Sequence, residues 1–281
     1  MTAPLPLGIS FEFFPPNTDL GREKLGVARD ALADRDPRFF SVTYGAGGST
    51  QARTFDTVKV VRENGVRTAP HLSCVGSEKS ALRDLLQEYR DNGVDSLVAL
   101  RGDLPSGMGS AGELRYANEL VEFIREETGD HFEIAVAAYP EAHPQAPNFE
   151  RDLENFVRKA KAGADIAITQ YFFTADAYFH FVDRVRAAGV ETPIIPGIMP
   201  IINYTKLARF SEICGADIPR WIRKQLEAYG DDSQSIQAFG TEVMARLCQQ
   251  LLEGGAPGLH FYTLNQAAPS LRILDNIAID G

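Results

Sequence analysis

Residues 68–102 read TAPHLSCVGSEKSALRDLLQEYRDNGVDSLVALRG. Two short runs with no helix period, 68–74 and 96–102, flank a stretch that has one. In 78–92, Leu82, Leu85, Leu86 and Tyr89 recur at i, i+3, i+4 and i+7, one face of an amphipathic helix. Asn92-Gly93 then supplies a residue that tolerates positive φ, which closes a helix. Ser77 with Glu78 offers a cap and a first-turn acid at its start. The stretch is therefore strand, helix, strand.

The same alternation runs through the chain. GISFEFF (8–14), FFSVTYG (39–45), EIAVAAY (133–139), DIAITQYFF (165–173), PIIPGIM (193–199) and GLHFYTL (258–264) bring the candidate strands to eight. Asn64-Gly65, Ala162-Gly163 and Ala188-Gly189 end the helices between them, and Thr174 with Asp176 opens another. Near-continuous apolar strands alternating with helices predict a parallel sheet covered by helices. Eight units in 281 residues fit a (β/α)8 TIM barrel better than an open doubly wound sheet. Segment 203–253 is longer than one crossover needs and should hold two or three helices. No Gly-, Ser- or Pro-rich linker interrupts the chain, so residues 1–281 read as a single domain.

Composition narrows the class. Hydrophobic residues make up 44% and charged residues 23%, which excludes disorder, collagen and coiled coil as the main state. The 28 basic and 38 acidic residues leave a net charge of −10, which argues against loose binding to nucleic-acid phosphates but allows a local cationic pocket. Cys74, Cys214 and Cys248 form no C-x-x-C pair, so reduced thiols are expected, with neither zinc nor disulfides. The opening MTAPLPLGISFEFFPP lacks a secretory pattern, and no run approaches ~18 apolar residues. A cytoplasmic protein without a membrane partner is the expectation.

Barrel enzymes carry their chemistry at the C-terminal ends of the strands. Those ends are polar here: Glu12, Thr43, Tyr44, His71, Arg101, Asp103, Tyr139, Glu141, His143, Gln170 and Asn265. Glu12 shares a strand face with Ser10 and Phe14, inside the barrel mouth, and is flanked by Phe11, Phe13 and Phe14. Desolvation there should raise its pKa, as a general acid requires; otherwise it would pair with a buried arginine such as Arg101. Gly102 allows close backbone approach to a ligand, and Asp103 could accept from a ligand's amino edge or cap a turn. His71 and His143 stand singly, without metal-ligand spacing, so no metal is expected. GAGGST (45–50) could cradle a phosphate or form a tight βα turn. Arg158 and Lys159, preceded by Asp152 and Asn155, suit a diphosphate or a solvated helix face.

Taken in order, SFEFFPP (10–16), VTYGAGG (42–48), APHLSC (69–74), VALRGDLP (98–105), AAYPEAHP (137–144), ITQYFF (168–173), PGIMPI (196–201) and HFYTLN (260–265) resemble the methylenetetrahydrofolate reductase family, in its bacterial form confined to the catalytic domain. The resemblance implies a (β/α)8 barrel with bound FAD. NADH or NADPH would reduce the flavin and leave. Methylenetetrahydrofolate would then take the same face and be reduced to methyltetrahydrofolate, in a ping-pong cycle. By motif position Glu12 would be the proton donor, and Asp103 would sit between flavin and pterin. Gln170 and Phe210 would line the substrate slot. The FAD shell would comprise Thr43, Tyr44, His71, Arg101, Gly102, Asp103, Tyr116, Ala117, Tyr139, His143, Asp152, Asn155, Arg158 and Lys159.

Two positions depart from the family pattern. Lys206 stands where bacterial relatives often carry Gln, and Gln266 where they often carry Arg. A compensated swap would move the cation that meets a folate carboxylate from 266 to 206; alternatively Lys206 faces solvent and tail binding is weak. Members often self-associate, so a homo-oligomer is admitted. A pterin-dependent methyltransferase barrel and a non-catalytic flavin or folate binder are the competing readings. The latter should lack Glu12 or Asp103, and both are present. A Schiff-base aldolase would want a lysine where the sixth strand offers Gln170.

Overall fold

The computed structural model describes residues 8–44, 48–102 and 112–277, the side chains of 48–52 excepted. Strands β1 (Gly8–Phe13), β2 (Phe39–Val42), β3 (Thr68–Ser73), β4 (Ser96–Leu100), β5 (Glu133–Ala138) and β6 (Ile166–Thr169) pair in parallel, each with the next. β7 (Ile194–Ile195) continues from β6, while β8 (Gly197–Ile198) pairs with β9 (Gly258–Tyr262), which returns to β1. Only Pro196 separates β7 from β8. Proline has no N–H to donate to a ladder, so the predicted seventh strand is broken there. Each half serves a different neighbour, and the barrel closes through the break. Within the predicted run 165–173 the strand ends at Thr169, and the Gln170 N–H adds one last bond to Ala138 O at 2.7 Å.

The helices are α1 (Asp19–Ala33), α2 (Gly48–Arg62), α3 (Lys79–Asp91), α4 (Ala117–Thr128), α5 (Phe149–Lys161), α6 (Ala175–Ala187), α7 (Tyr204–Cys214), α8 (Arg220–Tyr229), α9 (Ser233–Glu253) and α10 (Ala267–Asp275). Segment 203–253 thus holds three. α3 buries Leu82, Leu86 and Tyr89, the face its periodicity predicts. Gly65, Gly93, Gly163 and Gly189 all adopt positive φ after helix ends. Capping differs from expectation. The N-caps Glu78 and Thr174 make no side-chain cap bond. Instead the Glu113 carboxylate accepts the Lys79 N–H at 2.6 Å, so a neighbouring loop supplies the acceptor.

Strand alternation sorts side chains into two layers. Phe11, Phe13, Phe40, Val42, Leu72, Leu97, Ala99, Leu259 and Phe261 point outward and pack beneath the helices. Burying each such phenylalanine is worth roughly 1.5–3 kcal/mol. Phe39, Ala69, Val98, Ala135, Ile166, Ile168 and Ile195 fill the barrel interior. Glu133, at the start of β5, receives both Arg38 and Arg67, and Arg67 also reaches Asp95 at 2.7 Å. This ion-pair network ties β2, β3, β4 and β5 together at the end opposite the polar rim. No helix among the described residues is long and apolar enough to cross a membrane.

Candidate active site

Glu12 is the penultimate residue of β1 and points inward with Ser10, as alternation predicts. The same alternation sends Phe11 and Phe13 outward, so these rings do not desolvate it. Its carboxylate meets two imidazoles instead. His71 Nε2 from β3 lies 3.3 Å from Glu12 Oε2, and His260 Nε2 from β9 lies 3.6 Å from the same oxygen. These are ion-pair approaches rather than aligned hydrogen bonds. Both Nε2 atoms are buried and have no hydrogen-bond partner among the described residues. Burial pushes the Glu12 pKa up, but His71 and His260 together outweigh it and hold the carboxyl down at about 2. The expected rise is thus corrected. Desolvation operates, and the facing imidazoles reverse its sign.

Arg101 is not the partner of Glu12. Its guanidinium reaches Gln145, and its Nε donates to Gly102 O at 3.3 Å. The turn is held from β3, where Ser73 Oγ donates to Arg101 O at 2.9 Å. Gly102 has φ +82°, and a Cβ there would lie 1.9 Å from Ser73 Oγ. Asp103 and most of the glycine loop at 45–50 fall outside the described residues.

The remaining predicted FAD residues occupy consecutive units from β2 to α5. Thr43 and Tyr44 follow β2, and Thr43 N–H donates to Phe13 O at 2.9 Å. Tyr116 caps α4 and is exposed, while Ala117 is buried. Tyr139 follows β5 and meets the His143 ring edge-on at 4.5 Å. His143 N–H donates to Asp152 Oδ2 at 2.9 Å, so α5 braces that loop. Arg158, on the exposed side of α5, bonds Asn155. Lys159 reaches back toward the helix N-terminus and donates to Ala137 O. Burial pushes its ammonium down to about 8, with Asp152 opposing.

Gln170 lies just past β6, and its Oε1 accepts the Tyr171 N–H at 2.9 Å. Phe210, 41% exposed, and Lys206, also exposed, sit on α7. Gln266 caps α10 without a side-chain bond. Glu141 is committed to the fold, accepting the Asp217 N–H at 3.0 Å. No three His, Cys, Asp or Glu among the described residues could hold a metal, and all three cysteines are free.

Sequence reasoning missed His260 and Tyr262. Both lie on the inner face of β9 beside β1, in register with Ser10 and Glu12 respectively. Tyr262 donates its hydroxyl to Thr169 O at 2.7 Å, over Gly197, where a Cβ would lie 2.7 Å from the ring. The alternation in GLHFYTL carried this signal, once closure of the last strand on the first is taken literally.

The family described as Methylenetetrahydrofolate reductase matches residues 6–278. The chain is 38% identical over 274 residues to the 5,10-methylenetetrahydrofolate reductase of Escherichia coli (strain K12), covering 97% of this chain and 91% of that one. The Salmonella typhimurium protein of the same name is 39% identical over the same coverage. Methylenetetrahydrofolate reductase (NADH) 1 of Arabidopsis thaliana is 36% identical, but the match spans only 48% of its length. A solved structure of an uncharacterized protein from Clostridium thermocellum, which binds two copies of 5-methyl-5,6,7,8-tetrahydrofolic acid, superposes with a TM-score of 0.68. It is 17% identical and covers 97% of this chain and 94% of that one, a likeness of fold. By the extent of these matches, the chain belongs to the methylenetetrahydrofolate reductase family.

Proposed function

We infer that this protein reduces 5,10-methylenetetrahydrofolate to 5-methyltetrahydrofolate, with FAD as bound cofactor, NADH or NADPH as reductant, and Glu12 as proton donor. One observation carries the reading. In a chain matched by the family over residues 6–278, the inward carboxylate at the barrel's polar end faces two buried imidazoles.

The residues present fit a flavin dinucleotide. His71 Nε2 is a buried polar atom without a hydrogen-bond partner. Gly102 turns the backbone at φ +82°, which favours glycine, at the C-terminal end of β4. Arg101 after β4 and Arg158 and Lys159 on α5 would supply the cations a diphosphate requires. FAD, when bound, would accept and deliver the hydride. The chain's own task is to bind, orient and move a proton. Glu12 would pass a proton to the bridging nitrogen N10, so that the five-membered ring opens to an iminium. Gln170 and Phe210 would line the slot that nicotinamide and folate occupy in turn. Asp103, by its motif, would bond the pterin edge.

Anaerobic stopped-flow on the FAD-loaded protein tests this, following the flavin band near about 450 nm. NADH or NADPH should bleach it, and methylenetetrahydrofolate should restore it. Bleaching without recovery would assign another acceptor. Failure to bind FAD would overturn the cofactor shell, and would leave a methyltransferase or a simple folate binder as the better reading.

A further inference from the structure

A carboxyl held near 2 by its neighbours is ionised at neutral pH, so it does not itself store the proton it is to donate. The proton must wait nearby. We propose that His260, fixed by Ser10, is a positioning residue that holds this proton and passes it through Glu12 to the folate. The proposal rests on the reading of Glu12 as donor.

His260 is completely buried. Its ring stacks on Phe39 at 5.9 Å and meets Tyr262 edge-on at 5.4 Å, so its orientation is fixed. Its Nδ1 lies 2.8 Å from Ser10 Oγ, and that hydroxyl lies 3.5 Å from Leu259 O. Ser10 can therefore accept from Nδ1–H while its own proton points to the carbonyl. With Nδ1 engaged by Ser10, Nε2 is the ring nitrogen turned toward the carboxylate. Nε2 faces Glu12 Oε2. The hydrogen bond made by one ring nitrogen decides the state of the other.

The other titratable groups facing the pair are His71 from β3 and Tyr262 from β9 itself. Tyr139, Tyr171 and Cys214 stand behind Tyr262. Tyr262 is committed to Thr169 O, and burial together with Glu12 pushes its pKa well up. His71 lies on the side of the rim given to the flavin. His260 is the imidazole left free of cofactor duty.

The step balances. A proton leaves His260 Nε2 for Glu12 Oε2, and Glu12 delivers a proton to N10. The carbon–N10 bond breaks with its electron pair on N10, and the one-carbon unit takes the hydride. His260 is left neutral beside the Glu12 carboxylate, and water at the mouth returns the proton through the partly exposed Glu12 before the next turnover.

The test follows single-turnover oxidation of the reduced holoenzyme by methylenetetrahydrofolate against pH, in wild type, His260→Gln, Ser10→Ala and Glu12→Gln. His260→Gln should slow this half-reaction on the order of a hundredfold and move its alkaline fall to lower pH by about a unit or more. The nicotinamide half-reaction should change by no more than about threefold. Ser10→Ala should produce the same pH displacement with roughly a tenfold loss, and Ser10→Thr should restore both. Without folate, the 13C signal of the Glu12 carboxyl should show its ionisation midpoint rising in His260→Gln. If Glu12→Gln keeps the full folate rate, the donor reading itself fails. If Glu12→Gln is inactive while His260→Gln keeps its rate and pH limb, the proposal alone is overturned. Should His260→Gln not fold, an unmoved limb in Ser10→Ala overturns it.

Discussion

Asn265 pairs with the backbone of Phe14 as a neighbouring strand would. Its Oδ1 accepts the Phe14 N–H at 3.0 Å, and its Nδ2 donates to Phe14 O at 2.9 Å. The ladder between β9 and β1 ends at Glu12, and one side chain extends it. Thr263 adds a bond from its Oγ1 to Glu12 O at 2.6 Å. The carbonyl of Glu12 and both backbone groups of Phe14 are thus fixed from one corner, while the Glu12 side chain remains in the mouth. The corner has a conformational cost, because Leu264 and Asn265 both take positive φ, at 52° and 57°.

Asn265→Ala removes both bonds and leaves a Cβ residue without the local hydrogen bonding that makes Asn tolerant of that region. Two lost hydrogen bonds and the strain sum to about 2–3 kcal/mol. In a chain of this size that lowers the thermal midpoint by roughly 4–10 °C. Calorimetry checks this. A variant as stable as wild type would mean that Thr263 alone holds the corner.

The barrel was legible because its evidence is periodic. Eight runs and the helix between each pair need only local pattern, and Leu82, Leu86 and Tyr89 fall where a 3.6 period puts them. The break at Pro196 was legible in principle, since proline cannot donate to a ladder. The electrostatics of Glu12 were not. Chain neighbours suggested an apolar surround, but in a strand the adjacent residues Phe11 and Phe13 are the ones that face away. The groups that set its charge come from β3 and β9, about 60 and 250 residues along the chain by their numbering. The motifs assign His71 to the flavin and give His260 no role. Both meet Glu12 only because the barrel closes.

Glu12 makes stability depend on acid. Its folded pKa, about 2, lies below the ordinary 4.5. A depressed carboxyl contributes stability above the unfolded value, lost as pH falls from about 4.5 toward 2. Between pH 5 and pH 3 the stability difference between wild type and Glu12→Gln should narrow by about 2 kcal/mol. Urea midpoints across that range measure it. A difference independent of pH would mean that the carboxylate gains nothing from His71 and His260.

Gly102→Ala tests the turn expected to approach the cofactor. The new Cβ would meet Ser73 Oγ at 1.9 Å and hold φ near +82°, so the turn must shift and the bond from Ser73 to Arg101 O must break. Strain of this kind costs on the order of 1–3 kcal/mol. FAD affinity should fall by about tenfold or more, since each 1.4 kcal/mol is a factor of ten. Equilibrium titration with FAD reads this directly. Unchanged affinity would place the flavin away from this turn.

Lys206 and Gln266 carry the remaining question of the folate tail. Lys206 is exposed on the first turn of α7, and its backbone N–H is held by Asn203 Oδ1 at 2.9 Å, leaving the ammonium free to reach outward. Gln266 caps α10, on the unit that follows in the ring. If the cation that meets a folate carboxylate has moved to 206, Lys206→Ala should raise KM for methylenetetrahydrofolate. An exposed pair is worth about 0.2–1 kcal/mol, so a rise of roughly two- to fivefold is expected, with kcat little changed. The effect should shrink with added salt. Gln266→Arg in the Lys206→Ala background should recover the lost affinity, because it restores a cation at the position where the family pattern is expected to carry one. KM unmoved by either change would leave Lys206 in solvent and the tail held elsewhere.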